Sequence, residues 1–192
     1  MMRYILVGIL ALMAIGVGWL TFDWYRSQMS GGPYGAPFTL VDQKGEAITE
    51  QAFRGHPSAV FFGFTHCPEV CPTTLFELDG WLKQLGDEAA NVDAYFVSID
   101  PQRDTPDVMD AYVSNVSDRI VGITGDPEKV AAMAKSFGIF VRKVELEGDD
   151  YTMDHTASII LLDSGGGFAG TIAYGENPDN AKAKLQRLAG GA

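Results

Sequence analysis

Residues 58–85, "SAVFFGFTHCPEVCPTTLFELDGWLKQL", read in succession as a strand, a cysteine-bearing loop and a helix. Ser58 to Thr65 is an almost unbroken apolar run, the pattern of a strand covered on both faces. From Pro72 to Leu85 the period changes: Leu75, Leu78, Leu82 and Leu85 share one stripe at helical spacing. Between these segments lie Cys67 and Cys71, the only two cysteines of the 192-residue chain. In α/β folds, a loop from the end of a central strand to the start of a helix is where ligands usually sit.

Working outward, "VDAYFVSID" (92–100), "RIVGITG" (119–125), a partly exposed "FGIFVRKVEL" (137–146) and "TASIILLD" (156–163) supply further strands. "FAGTIAYG" (168–175) pairs with the last of these across the "SGGG" turn, and "FTLVDQKGEAIT" (38–49) forms a small hairpin around Asp42 to Gly45. Three pairs, Thr105-Pro106, Asp126-Pro127 and Asn177-Pro178, each put a capping side chain before a proline. Proline is tolerated at the first helical position because its missing N–H had no partner there, so helices are predicted over 106–114, 127–137 and 178–189. Strands alternating with helices give an α/β fold: a central mixed sheet with helices on both sides and antiparallel hairpins at the edges. There is no internal repeat and no phosphate-cradling glycine loop.

Composition bounds the rest. A chain that is 46% hydrophobic and 20% charged suits one globular domain with a full core. Its net charge of -11 disfavours nucleic acid and anionic lipid headgroups and favours a basic partner surface or a cation. At the N-terminus, "YILVGILALMAIGVGWLTF" (Tyr4 to Phe22) contains no charged residue, and it flows into Trp24 and Tyr25, aromatic residues suited to a membrane interface. A cleaved signal peptide would show a shorter apolar region and a small-x-small cleavage site. Residues 1–25 are therefore expected to be a transmembrane anchor, 26–37 a glycine-rich tether, and 38–192 the folded domain. Arg3 and the terminal amine lean the orientation toward an inside N-terminus, which leaves the cysteines outside.

Two cysteines so placed serve as a disulfide, a redox pair or a metal grip. Cys67 falls near a helix N-terminus, where free N–H groups and the dipole favour a thiolate. Cys71 lies four residues on, a helical spacing that puts Cβ atoms about 5–6 Å apart, whereas a relaxed disulfide wants about 3.5–4.5 Å. A metal between the sulfurs spans that gap with less adjustment, and the extra residue relative to C-x-x-C moves the balance toward metal without excluding redox chemistry. Of the three histidines, His56 reads as a loop residue and His66 as a packing or outer neighbour of Cys67. His155 precedes an apolar strand and is placed to face the cysteine loop. Met153, a soft donor two residues away, reads as packing. Two thiolates and an imidazole suit copper(I), accept copper(II) when an oxygen completes the set, and also suit zinc.

With "GFTHCPEVCPTT", "SIDPQRDTP" and "YTMDHTASIILLD" in view, the chain resembles the Sco/SenC family of membrane-anchored copper proteins from about Phe38 to Leu188. The resemblance implies a thioredoxin-like, peroxiredoxin-related fold, copper held by Cys67, Cys71 and His155, and supporting roles for Asp100 and Asp154. It further implies a metallochaperone that assists assembly of the copper centre of cytochrome c oxidase, with that oxidase's copper-site subunit as partner and an upstream copper donor or thiol reductase as a further one. The domain would then sit in the periplasm, on a single-pass anchor in a bacterial inner membrane. The alternative function is a thiol-disulfide oxidoreductase that reduces the cysteines of the oxidase site before metal arrives. Where members of the family often have serine, this chain has Thr156, which keeps the hydroxyl.

Overall fold

A computed structural model of the chain describes residues 13, 16–21, 33–148 and 150–191. The chain divides into two units, Met1–Gly32 and Pro33–Ala192. Of the first, residues 16–21 are helical; the expected anchor over Tyr4 to Phe22 falls largely outside the described residues. No helix among the described residues is long and apolar enough to cross a membrane.

The second unit is built on a seven-stranded mixed sheet. Its strands are β1 (Thr39–Asp42), β2 (Ala47–Thr49), β3 (Ser58–Gly63), β4 (Asp93–Ser98), β5 (Ile120–Thr124), β8 (Ser158–Leu162) and β9 (Phe168–Ala173), in the order β2-β1-β5-β4-β3-β8-β9. β3, β4 and β5 run parallel, and antiparallel strands flank them on either side. All six residues of β3 are buried, as the unbroken apolar run requires of a central strand. On one face Phe61 stacks on Phe96, which stacks in turn on Tyr112; on the other Phe62 packs against Phe137. Both faces are thus covered.

The helices are α1 (Val70–Leu85), α2 (Pro106–Ser114), α3 (Pro127–Ser136) and α4 (Pro178–Ala189). α2, α3 and α4 begin where the cap-proline pairs predict, with Thr105, Asp126 and Asn177 each accepting backbone N–H bonds from the first turn. α1 starts two residues earlier than the sequence suggests and has no side-chain oxygen cap. Instead the Cys71 N–H donates to Cys67 Sγ at 3.3 Å, so a sulfur takes part of the capping role. Leu75, Leu78 and Leu82 are fully buried, and Leu85 at the end of the stripe is partly so.

The segment 137–146 departs from expectation. Its strand, β6 (Val141–Glu145), does not join the central sheet; it pairs with β7 (Tyr151–His155) in a separate two-stranded sheet. Arg142, Lys143 and Glu145 interrupt its two valines and none of its five residues is fully buried, so it cannot occupy a position covered on both faces. β7 itself was hidden in sequence by its acidic flank, and His155 therefore ends an outlying arm rather than opening a central strand.

Candidate metal site

The cysteine loop is fixed from below by one buried carboxylate. Asp104 is wholly buried and accepts from Thr65 N (3.1 Å), Thr65 Oγ1 (2.6 Å) and Ser98 Oγ (2.7 Å). Burial raises the Asp104 pKa, and these hydrogen bonds offset part of that rise. The Cys67 N–H closes a turn onto the Phe64 carbonyl at 3.2 Å, and α1 begins three residues later. Gly63, at the end of β3, leaves room for the second sulfur: a Cβ there would lie 2.8 Å from both Cys71 Sγ and the Phe96 ring.

The two thiols differ sharply. Cys67 is partly exposed and Cys71 fully buried; neither is in a disulfide. A hydrogen bond from the Cys71 thiol draws the Cys67 pKa down to about 4, with smaller contributions from His155 and from the Cys71 and Glu69 backbone, against the effect of burial. The Cys71 thiol is pushed up, first by that same bond to Cys67 and then by desolvation. The coupling thus favours ionisation at Cys67 and retention of the proton on Cys71.

His155 completes the cluster across 84 residues of chain, with Nε2 at 3.6 Å from Cys71 Sγ. Nδ1 lies 3.0 Å from the Thr156 carbonyl, which can only accept, so Nδ1 carries a proton and Nε2 is the ring nitrogen turned toward sulfur, the one available to ligate in the neutral ring. The edges of Phe61 and Phe64 flank the ring at 6.1 and 5.9 Å between centroids. Thr156 anchors this corner: its hydroxyl accepts from Phe140 N at 3.0 Å and its N–H donates to the Phe140 carbonyl at 3.1 Å. That is the use of the hydroxyl retained at this position.

Among the described residues, no three His, Cys, Asp or Glu side chains are already drawn in to metal-ligand distance. Cys67 and His155 both lie against Cys71, and the three donors must close further to grip an ion. Two soft sulfurs and a tautomerically fixed imidazole make a donor set for a thiophilic metal.

The other candidates separate. Asp100 is buried but turned to the arm, accepting from Tyr151 Oη at 2.9 Å and from Arg103 Nε. Asp154, next to His155 on the strand, points the opposite way and pairs with Arg142 at the surface. The structure does not bring it to the sulfurs. His56 meets Asp93, His66 is exposed beside Thr65, and Met153 packs on the core. Sequence reasoning missed Asp104 and Arg103, although both stand in the "DPQRD" segment that drew attention to Asp100.

A family model described as SCO1/SenC matches residues 26–190. Among curated relatives, an SCO2-like protein of Rickettsia prowazekii is 34% identical over 134 residues, covering 69% of this chain and 65% of its own length. The chain spans between 43% and 65% of the length of the first curated relatives it matches. Among solved structures, Bradyrhizobium japonicum ScoI with copper bound shares 44% identity, with a TM-score of 0.74 over 80% of this chain and 98% of that one. A more distant structure, BsSco, reported with a disulfide switch as a member of the Sco family of cytochrome c oxidase assembly proteins, shares 25% identity, with a TM-score of 0.66 over 82% and 94% of the two chains.

Proposed function

The chain belongs to the SCO1/SenC family, and we propose that it is a metallochaperone that carries copper on Cys67, Cys71 and His155 to the copper-site subunit of cytochrome c oxidase. The observation that carries this reading is the convergence of the three donors, with Nε2 of His155 turned to Cys71 Sγ and Nδ1 held by the Thr156 carbonyl. Copper here is cargo: copper(I) suits the two sulfurs, and copper(II) is accepted when the imidazole and an oxygen join. The similarity to a ScoI structure with copper bound supports the choice of copper over zinc.

What the residues do follows from their burial. Cys67, the more accessible sulfur and the one favoured as thiolate, meets the incoming ion first. Cys71 then gives up its proton, a step that costs most in the buried position and that the metal charge offsets. His155 closes from the arm. In release the order reverses, and an acceptor thiolate or imidazole takes the place of one donor before the others let go. X-ray absorption on copper-loaded protein tests the donor set. Two sulfur neighbours and one imidazole nitrogen are expected for copper(II); an all-nitrogen and oxygen shell excludes the assignment.

The alternative, thiol-disulfide reduction of the acceptor, is favoured by one observation. A partly exposed low-pKa thiol beside a buried thiol of raised pKa on a strand-helix loop is the arrangement of a dithiol reductant.

Residues 1–25 are assigned as an uncleaved anchor, 26–37 as tether and 38–192 as the copper-binding domain, with that domain in the periplasm of a bacterial cell. The uncharged apolar run Tyr4 to Phe22 supports this. The full chain is expected to sediment with membranes and to resist alkaline carbonate extraction. Recovery in the soluble fraction with a shortened N-terminus would instead mark a cleaved signal.

A further inference from the structure

His155 is carried by an arm that lies outside the central sheet, flanked along its inner face by an open apolar cavity. Side chains alternate across a strand, so Tyr151, Met153 and His155 share the inner face of β7, while Thr152 and Asp154 share the outer one. On β6, Lys143 and Val141 pair with Met153 and His155 and share that inner face. Beneath it lies a largely apolar cavity of about 530 Å³, bounded on the far side by α3 and by residues 99–102. Val141 and Met153 rest on the core beside this cavity, and hydrogen bonds tie the arm at its two ends.

One end is the Phe140–Thr156 pair beside His155. The other is a knot around Tyr151. Its hydroxyl donates to Asp100 Oδ1 at 2.9 Å, and its carbonyl accepts from Arg103 Nη1 at 3.0 Å. The Arg103 guanidinium lies 3.7 Å from the Tyr151 ring centroid, while its Nε holds the other Asp100 oxygen. Arg103 is largely buried, its side chain 18% exposed, and its Nη2 has no hydrogen-bond partner among the described residues. A planar fork that stacks and donates in two directions is beyond a lysine. The contact from Nη1 to Asp150 involves a well-exposed carboxylate and adds little.

We propose that Arg103 and Tyr151 are positioning residues for His155: with Asp100 they fix the roll and register of β7, and thereby aim the imidazole at the cysteine pair. Fixing the direction of Tyr151 fixes that of His155, because the two are four residues apart on one strand face. A roll, or a slip by one residue, turns His155 away from the sulfurs and Asp154 toward them. The effect on copper rests on the chaperone reading above; the aim of the imidazole does not.

The test combines copper(II) competition titrations with NMR of the imidazole nitrogens in metal-free protein. Arg103→Ala is expected to lower copper(II) affinity roughly 10- to 100-fold and to shift the His155 ring resonances, with partial recovery in Arg103→Lys. In a His155→Ala background the same change is expected to alter affinity by no more than about two-fold, since its route is gone. Full additivity in that double-mutant cycle, or unmoved His155 resonances in Arg103→Ala, overturns the proposal. If Arg103→Ala does not fold, Tyr151→Phe, which removes one hydroxyl, is judged by the same criteria. If the parent protein binds no copper, the chaperone reading fails by itself, and the metal-free resonances alone decide: shifted supports positioning, unmoved refutes it.

Discussion

His155→Ala is expected to lower copper(II) affinity by at least about a hundred-fold, more than the 10- to 100-fold typical of losing an outer partner of a metal ligand, while the cysteine pair still oxidises and is re-reduced. The two chemistries draw on different atoms. Dithiol exchange needs an accessible thiolate and a second sulfur, and Cys67 keeps its main source of acidity, the bond from the Cys71 thiol, without the imidazole. Copper(II) needs a nitrogen or oxygen donor beside the sulfurs, and Nε2 is the one the fold aims there. Copper(I), content with two thiolates, is expected to lose less. Competition titrations in each oxidation state, alongside a dithiol-disulfide equilibrium with glutathione, check the separation. Unchanged copper(II) affinity would remove His155 from the donor set.

The second large effect belongs to Asp104. Asp104→Ala leaves Thr65 N, Thr65 Oγ1 and Ser98 Oγ without their acceptor in a site that is buried at Ser98 and partly buried at Thr65. At about 1–3 kcal/mol for each buried polar group left unpaired, and allowing for relaxation, roughly 3 kcal/mol of stability is lost, or about 6–12 °C in Tm for a chain of this size. Asp104→Asn is expected to be far milder. Its carbonyl can accept from Thr65 N and Ser98 Oγ, and its amide can donate to the Thr65 hydroxyl, reversing that one bond. The pH profile separates them further. Because burial raises the Asp104 pKa, the native state binds more protons than the unfolded state between the ordinary carboxylate pKa and the raised one. Stability from this group therefore falls as pH rises through that window, and the asparagine variant lacks the fall. Thermal denaturation between pH 4 and pH 8 reads both effects; equal destabilisation by Ala and Asn would contradict the hydrogen-bond account.

Much of this architecture is legible in sequence where one local interaction decides the outcome. The three cap-proline pairs mark helix starts because fixed φ and a side-chain acceptor act within four residues. The run "SAVFFG" declares a two-sided strand for the same reason. What is not legible depends on distant partners. β7 lies in an acid-rich stretch, and its inner-face residue Tyr151 finds its partners at Asp100 and Arg103, about fifty residues earlier. Asp104 looks like any acidic loop residue until β4 and the cysteine loop close over it. The three donor residues were visible as types, but their approach across 84 residues is a property of the fold.

The central claim is delivery, and one measurement addresses it most directly. Copper-loaded protein is mixed with the metal-free soluble domain of the oxidase copper-site subunit, its cysteines already reduced, and optical and electron paramagnetic spectra follow both centres. Delivery predicts that the donor signal decays as the acceptor's own copper signal grows, and that His155→Ala alters transfer of copper(II) more than that of copper(I). If copper instead stays on the donor, while separately prepared oxidised acceptor is reduced by the Cys67–Cys71 pair, the chaperone account is contradicted and the reductase takes its place.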